Sequence, residues 1–220
     1  MVKSYVLAFS AAVAASFGAA TAQDKVELKF ELPQPYFGGT PLDYFGENLE
    51  KPDYKPRPPF MAPAGTTNVA KGKTVTASGG PEFGKLELLV DGDKGYKKDS
   101  LIGLPAGHQW VQIDLGATHE LYALLLWHFH EGERVYFDVA VQVSDDPKFE
   151  KGVTVVWNND HDNSAGLGKG DKQEYIESYK GKLIDMGGAK GRYVRLYSKG
   201  NTTDETNEYV EAEIYGRPAK

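Results

Sequence analysis

Cysteine is absent from the 220-residue chain. Its absence excludes disulfide cross-links, thiol catalysis and zinc sites with cysteine ligands. The fold must therefore be stabilised by its hydrophobic core, and a bound cation is the remaining reinforcement. Hydrophobic residues make up 40% of the chain and aromatic residues 12%, which is enough for one sizeable core. The length favours one domain with appendages.

Clusters of lysine and arginine are also absent. The formal net charge is -6, the sequence pI is about 5.4, and acidic and basic residues are mixed along the chain. A nucleic-acid-binding surface needs clustered basic residues, and polybasic attachment to anionic lipid needs them too. The charge pattern therefore argues against both classes of partner.

Long hydrophobic runs are missing beyond the first 22 residues. Lys3 precedes an apolar run over residues 5–20, and Ala20-Thr21-Ala22 is a small-x-small cleavage signal. This pattern predicts a secretory signal peptide over residues 1–22. The alternative is an uncleaved membrane anchor, but the run is short for a span of ~20 apolar residues. We expect a secreted or periplasmic protein with no transmembrane segment after cleavage.

Residues 23–66 are rich in proline and aromatic residues. Eight of the 12 prolines lie between Pro33 and Pro63, and seven aromatic residues are interleaved with them. Proline at this density cannot continue a helix, and a disordered linker would have fewer aromatic residues. We predict an extended N-terminal arm that lies on the domain. Apolar and charged residues alternate over residues 25–32, which predicts one amphipathic strand ahead of the arm.

From Asn68 onward the chain has the pattern of an all-β domain, over residues 67–220. Short apolar stretches are separated by Gly, Asp and Asn turns, and no amphipathic helix of several turns is evident. This pattern is typical of a β-sandwich or jelly roll. The predicted strands are Lys73–Ala77, Trp110–Leu115, Leu121–His130, Tyr136–Ser144, Val153–Trp157, Lys182–Asp185, Tyr193–Tyr197 and Tyr209–Tyr215.

Six segments of this region occur in the order of the landmarks of one family. They are 68–78 (NVAKGKTVTAS), 89–93 (LVDGD), 110–116 (WVQIDLG), 141–146 (VQVSDD), 192–196 (RYVRL) and 211–216 (EAEIYG). Together they resemble discoidin domains, also called coagulation factor V/VIII C-type domains. The resemblance implies a galactose-binding-like jelly roll that binds glycans, lipid head groups or proteins through loops at one end. Bacterial members are often carbohydrate-binding modules.

The resemblance also implies a structural calcium ion at the Asp91-Gly92-Asp93 turn. Asp91 and Glu211 would be side-chain ligands, with Asp93 and Ser100 as possible further ligands. A carbonyl oxygen of Leu88 or Leu89 could also contribute. Calcium takes six to eight oxygen ligands, and glycine permits the sharp turn. The alternative is an ordinary Asp-Gly turn held by local hydrogen bonds.

His128 and His130 are the first candidate ligand-binding residues. Two positions apart on a strand, they are expected on one face, with Trp127 and Phe129 on the opposite face, toward the core. Imidazole can hydrogen-bond to sugar hydroxyls or bind a transition metal. The alternative is a packing or surface role for both histidines.

The loop 158–168 (NNDHDNSAGLG) is the second candidate, because six consecutive side chains can form hydrogen bonds. Asn159, Asp160, His161 and Asn163 could recognise a polyol or bind a second cation; alternatively the loop is simply solvated. Arg134 could hold a ligand hydroxyl or carboxylate with its planar guanidinium, or lie in a charged turn.

The sequence therefore favours a non-catalytic binding module, with carbohydrate as its ligand. One alternative is a structural or protein-interaction protein of the cell envelope that uses the arm to bind a partner. A second is a metal-dependent hydrolase that uses His128, His130 and the 158–163 loop. The chain has no Gly-x-Ser-x-Gly, phosphate-loop or His-Glu-x-x-His motif.

Overall fold

The computed structural model describes residues 24–35, 44–51, 55–132 and 134–219. Within them the chain forms ten strands and two short 3-10 helices, Leu86–Val90 and Lys98–Ser100. The strands are β1 Lys25–Leu28, β2 Phe60–Pro63, β3 Thr67–Asn68, β4 Thr74–Ala77, β5 Ile102–Leu104, β6 Gln109–His128, β7 Ala140–Ser144, β8 Thr154–Asn158, β9 Lys182–Ser198 and β10 Asn207–Pro218. The predicted signal peptide lies outside the described residues, as do the arm aromatics Tyr36, Phe37 and Tyr54.

Two long strands, β6 and β9, organise the domain. They pair antiparallel along their length and stand at the centre of the strand order β3-β10-β6-β9-β7-β8, with β4 added to β6 and β5 to β10. The first half of β6 pairs with β4, and its second half pairs with β10. Each long strand thus belongs to both layers of a β-sandwich, which confirms the predicted all-β sandwich.

The sequence pattern predicted two separate strands in place of each of these long strands. The predicted end at Gly116 was wrong, because β6 continues through it with a register shift between Asp114 and His119. Gly116 has φ +84°, and Gly187 and Gly188 on β9 have φ +60° and +81°. Glycine adopts these values without steric cost, so the strands bend there instead of stopping.

One hydrophobic core lies between the layers. Every second residue of β6, β7, β9 and β10 points into it, as the two-residue period of a strand requires. Its fully buried members include Ile113, Leu124, Leu126, Val141, Val143, Val194, Leu196, Ala212 and Ile214.

The predicted strand Tyr136–Ser144 was too long. Only Ala140–Ser144 forms β7, while Tyr136 makes an isolated bridge to Asn201 and Asp138 has φ +50°. The backbone therefore turns before β7 begins. β4 and β8 lie within one residue of their predicted bounds, and β10 extends beyond its prediction at both ends.

The described parts of the arm lie on the sandwich. β1 and β2 form a two-stranded antiparallel sheet, and its Leu28 and Ala62 pack against Ala123 on the outer face of β6. Further along, the Glu50 N–H donates to the Glu174 carbonyl at 2.9 Å, and the Glu174 N–H donates to the Asn48 carbonyl at 3.1 Å. Both contacts fasten the arm to the segment between β8 and β9.

Among the described residues, no helix has the length and apolar character needed to cross a membrane.

Candidate functional site

A cavity of about 520 Å³ opens on the outside of the sandwich, where β6 ends and β10 begins. Three aromatic rings, two lysines, two glutamates and a leucine line it: Phe83, Tyr96, Phe129, Lys97, Lys98, Glu131, Glu208 and Leu101. We call it the aromatic cavity. Apolar walls with a few charged groups are the usual make-up of small-ligand sites.

The sheet positions the rings of the aromatic cavity. Phe129 follows β6 directly, and its N–H donates to the Glu208 carbonyl on β10 at 3.1 Å. Phe83 bridges to Gly103 of β5, where a Cβ atom would lie 2.2 Å from the Phe83 ring. Only glycine at position 103 leaves room for this ring. Tyr96 packs edge-on against His130, with ring centroids 5.9 Å apart.

Arg134 organises the charged side of the aromatic cavity. Its guanidinium stacks on Phe129 at 4.6 Å from the ring centroid and forms ion pairs with Glu208 and, at 3.1 Å, with Asp204. The Tyr136 hydroxyl also donates to Glu208 at 3.3 Å. Burial raises the pKa of the Glu208 carboxyl, whereas Arg134 lowers it. Arg134 and Glu208 therefore hold each other in a fixed arrangement next to the rings.

The expectation for the face that carries His128 was wrong. His128 is fully buried, its ring stacks on Tyr136 at 4.3 Å, and its Nδ1 lies 2.6 Å from Glu177 Oε1. Trp127 instead faces outward, into a second cluster beneath the arm. Both faces of β6 are covered here, so alternation alone could not identify the inner one. His128 does not reach the surface.

His130 lies beyond the end of β6 and is 1% exposed. Its Nε2 lies 3.1 Å from the Lys94 carbonyl, while its Nδ1 is buried without a hydrogen-bond partner. Burial lowers the pKa of this imidazole, which favours its neutral form. It supports Tyr96 from behind and does not line the aromatic cavity.

The loop 158–168 contains an acidic group away from the aromatic cavity. Asp160 and Asp162 approach Asp138, with one carboxylate oxygen of each within 4.8 Å of the others. These carboxylates are well partnered, because Ser164 and Ala165 N–H groups donate to Asp160, and the Ser164 hydroxyl donates to Asp138 at 2.7 Å. Backbone donation from Ser164 is the main cause that lowers the pKa of Asp162.

The remaining predicted residues of this loop have different surroundings. Asn159 is 1% exposed, and neither polar atom of its amide has a hydrogen-bond partner. Asn163 is exposed at φ +64° and accepts from the Gly168 N–H at 2.7 Å, which closes the loop. His161 is half-buried, and its Nε2 has no partner.

The turn from Asp91 to Ser100 is closed by local hydrogen bonds. The Asp93 N–H donates to Asp91 at 2.7 Å, and Asp93 accepts from Gly95 N–H and the Ser100 hydroxyl. The Gly92 N–H donates to Glu211 Oε2 at 3.1 Å, which joins the turn to β10.

Glu211, which lies on β10 and contacts this turn, is a carboxylate with an unmet hydrogen-bonding need. It is fully buried, its Oε1 has no hydrogen-bond partner, and burial raises its pKa to about 8. A buried carboxylate without a partner is costly, and a cation is one way to remove that cost. With Asp91 next to Gly92, the oxygen donors fit a hard cation such as calcium.

The structure thus separates the predicted ligand-binding residues. Arg134 lies at the aromatic cavity with His130 behind it, the loop residues lie elsewhere, and His128 lies in the core. Among the described residues, Asp138, Asp160 and Asp162 form the only group of three acidic or histidine side chains whose ligand atoms lie within 4.8 Å of one another, and it contains no histidine. In the described part of the chain, His128 and His130 therefore do not join the 158–163 loop in one such group, as the hydrolase alternative requires. Sequence reasoning missed Phe83, Tyr96 and Phe129, which come from three separate segments.

Neither the protein-family models nor the curated proteins include a match to this chain. Solved structures do match. A family 89 glycoside hydrolase from Clostridium perfringens is 19% identical with a TM-score of 0.53, and the match covers 69% of this chain but 15% of the hydrolase. A chitosan-binding module from Paenibacillus sp. IK-5 is 22% identical with a TM-score of 0.48 over 68% of this chain and 99% of the module.

A fucose-binding module from Streptococcus pneumoniae is 21% identical with a TM-score of 0.47, over 68% of this chain and 97% of the module. This chain spans about one seventh of the length of the hydrolase, and identities this low establish the fold alone. The chain has the β-sandwich fold that its sequence indicated.

Proposed function

We propose that this protein is a secreted, non-catalytic module of the discoidin type that binds carbohydrate in the aromatic cavity. The observation that carries the proposal is the combination of Phe83, Tyr96 and Phe129 with charged groups around one open cavity. The fold is compatible with many ligands, so the function is argued from this cavity.

Sugars need two kinds of contact that the aromatic cavity offers. The C–H-rich face of a pyranose is attracted to the negative face of an aromatic ring. Its hydroxyl groups both donate and accept hydrogen bonds, which the glutamates and lysines of the cavity can satisfy. The ion pair between Arg134 and Glu208 fixes part of this polar wall before a ligand arrives. Such preorganisation reduces the entropy lost on binding.

Calcium has a structural role in this proposal. Asp91 and Glu211 would hold the ion by side chain, with Asp93, Ser100 and carbonyl oxygens of the turn as further candidates. When bound, calcium supplies positive charge that compensates the buried Glu211 carboxylate. The turn and β10 would then be tied together, and the same turn leads through Tyr96 to the lysines of the cavity. Export, directed by residues 1–22, would bring the module to a calcium-containing space.

The experiment is a glycan array with the purified protein, in calcium and in chelator, followed by titration of each hit. Phe129→Leu keeps apolar volume but removes the ring, so binding should weaken roughly tenfold, about 1.4 kcal/mol. Phe45→Ala is the matched control, because Phe45 is 86% exposed outside the cavity lining. Binding that survives Phe129→Leu and Tyr96→Ala unchanged would place the ligand elsewhere, and a folded protein that binds no glycan would refute the proposal.

A further inference from the structure

We infer that the aromatic cavity selects an anionic glycan, whose sugars carry a carboxylate or a sulfate group, over the equivalent neutral glycan. This inference rests on the proposed function and concerns the same cavity. It depends on which charges around the cavity are already paired and which remain available.

Two lysines of the cavity lie outside the ion pairs of the described residues. Lys97 and Lys98 are both exposed, and Lys97 lies near enough to Asp93 to lower the pKa of that carboxyl. The Lys98 ammonium lies 5.7 Å from the centroid of the Phe83 ring. Lys94 differs from them, because it is nearly buried and forms an ion pair with Glu213 at 2.8 Å. Lys97 and Lys98 can therefore accept an external anion without first breaking an ion pair.

The acids of the cavity oppose these cations only in part. Glu208 is already paired with Arg134, which leaves Glu131 as the lining carboxylate without an ion pair among the described residues. The available charge at the rim is thus two lysines against one glutamate. Asp93, from the turn that precedes the lysines, already accepts hydrogen bonds from Ser100 and Gly95.

The position of the lysines matches what an acidic sugar requires. A pyranose needs an apolar surface for its ring and a cation at the edge for its acidic substituent. Lys98 stands over one aromatic wall of the cavity, so both requirements are met at one place. The protein as a whole carries a net charge of -6, which repels anions at long range. The two lysines at the open cavity therefore favour an anionic ligand, although the net charge of the whole protein disfavours one.

The experiment compares three oligosaccharides of equal length by calorimetry: a galacturonic acid oligomer, a 6-sulfated galactose oligomer and a galactose oligomer. At least one anionic oligomer should bind about tenfold more tightly than the neutral one, equivalent to 1.4 kcal/mol. The preference should shrink as salt is raised, because exposed charges are screened. The anionic oligomer with the larger gain in affinity over the neutral oligomer shows whether the cavity prefers a carboxylate or a sulfate group.

The double variant Lys97→Gln/Lys98→Gln should abolish this preference, because it should cost the anionic oligomer about tenfold more affinity than it costs the neutral oligomer. Lys148→Gln/Lys151→Gln is the matched control, with the same change of charge on two exposed lysines between β7 and β8. Equal affinity for all three oligomers, or equal losses for neutral and anionic oligomers in the double variant, would overturn the inference. If the inference were overturned but Phe129→Leu still weakened binding, the proposed carbohydrate-binding function would stand. If no oligomer bound at all, both the inference and the proposed function would be refuted.

Discussion

Two acidic regions of the molecule resemble each other in sequence but differ in how their carboxylates are satisfied. In the 158–168 loop, the acids that meet at Asp138 accept hydrogen bonds from Ser164 and Ala165, and Lys199 lies 3.4 Å from Asp138. At the Asp91–Ser100 turn, Glu211 of β10 is buried, and one of its carboxylate oxygens has no hydrogen-bond partner. The loop has more acids close together, yet the turn has the unmet demand for positive charge.

The comparison teaches that a high density of acids does not by itself create an unmet demand for positive charge. Asp and Asn accept hydrogen bonds from nearby backbone N–H groups, and long loops use them to hold their own shape. A carboxylate that is removed from water and left without donors must take up either a proton or a cation. The following measurements separate the two regions, from the largest expected effect to the smallest.

Calcium should stabilise the protein through the turn. At a concentration of 1,000 times Kd, a ligand of the native state adds about 4 kcal/mol, or roughly 10 °C in Tm for a domain of this size. Glu211→Gln should abolish the gain, since its amide can still accept from Gly92 but carries no charge. Asp138→Asn/Asp162→Asn should keep the gain. A full gain in Glu211→Gln would show that calcium binds elsewhere.

The pH dependence of the calcium-free protein should carry the signature of Glu211. Burial raises its pKa from 4.5 to about 8, so between these values the folded state holds a proton that the unfolded state has lost. Stability from this group is complete below pH 4.5 and is lost as pH rises through 8. Between pH 5.5 and 7.5 the loss should be on the order of 2 kcal/mol.

Urea unfolding of the wild type and Glu211→Gln in chelator measures this loss directly. The difference between the two proteins should grow with pH over that window, while Asp162→Asn should show no such trend. A constant difference from pH 5.5 to 7.5 would mean that the carboxyl of Glu211 ionises normally.

Asp160→Ala should destabilise the loop without any effect of calcium. Asp160 is fully buried and accepts from Ser164 and Ala165, so its removal leaves the Ala165 N–H without an acceptor, while the Ser164 N–H keeps its bond to Asp162. The expected cost is about 1–3 kcal/mol, measured by urea unfolding with and without calcium. Asp162→Ala, on an exposed neighbour, is the control and should cost less. A calcium-dependent cost for Asp160→Ala would contradict the distinction between the regions.

Lys199→Gln tests whether the positive charge of Lys199 opposes cation binding by the loop. The substitution removes an exposed ion pair with Asp138 and should cost less than about 1 kcal/mol. In the Glu211→Gln background, it should permit a small calcium-dependent rise in Tm of about 1–2 °C. No rise at millimolar calcium would show that hydrogen bonds alone satisfy the loop.

Local patterns in the sequence predicted much of the fold. Alternation identified β4, β8 and β10 within a few residues, since each has one face in the core. Alternation failed for His128, because the sheet of β1 and β2 and the 171–181 segment cover the outer face of β6. These parts of the chain are distant in sequence, so the local pattern does not reveal the contact. Trp127 donates to the Tyr179 carbonyl at 2.9 Å on that face.

The aromatic cavity was beyond local patterns for a related reason. Phe83, Tyr96 and Phe129 are isolated aromatics within three irregular segments, and only pairing of β5 and β6 with β10 brings these segments together. Arg134 was predicted as a ligand contact from its chemistry, but its partners Glu208 and Asp204 lie some 70 residues later in the chain. The ligand contacts of all these residues stay a prediction.

The continuity of β6 and β9 has a consequence for how the protein opens. Because the same two strands supply hydrogen bonds to both layers, neither layer can separate while the other stays intact. We expect their central amides to exchange with solvent only through global unfolding, as one cooperative unit. Among the described residues, β1 and β2 pair with no other strand, so their amides should exchange far sooner, and their detachment would uncover the outer face of β6 without melting the sandwich.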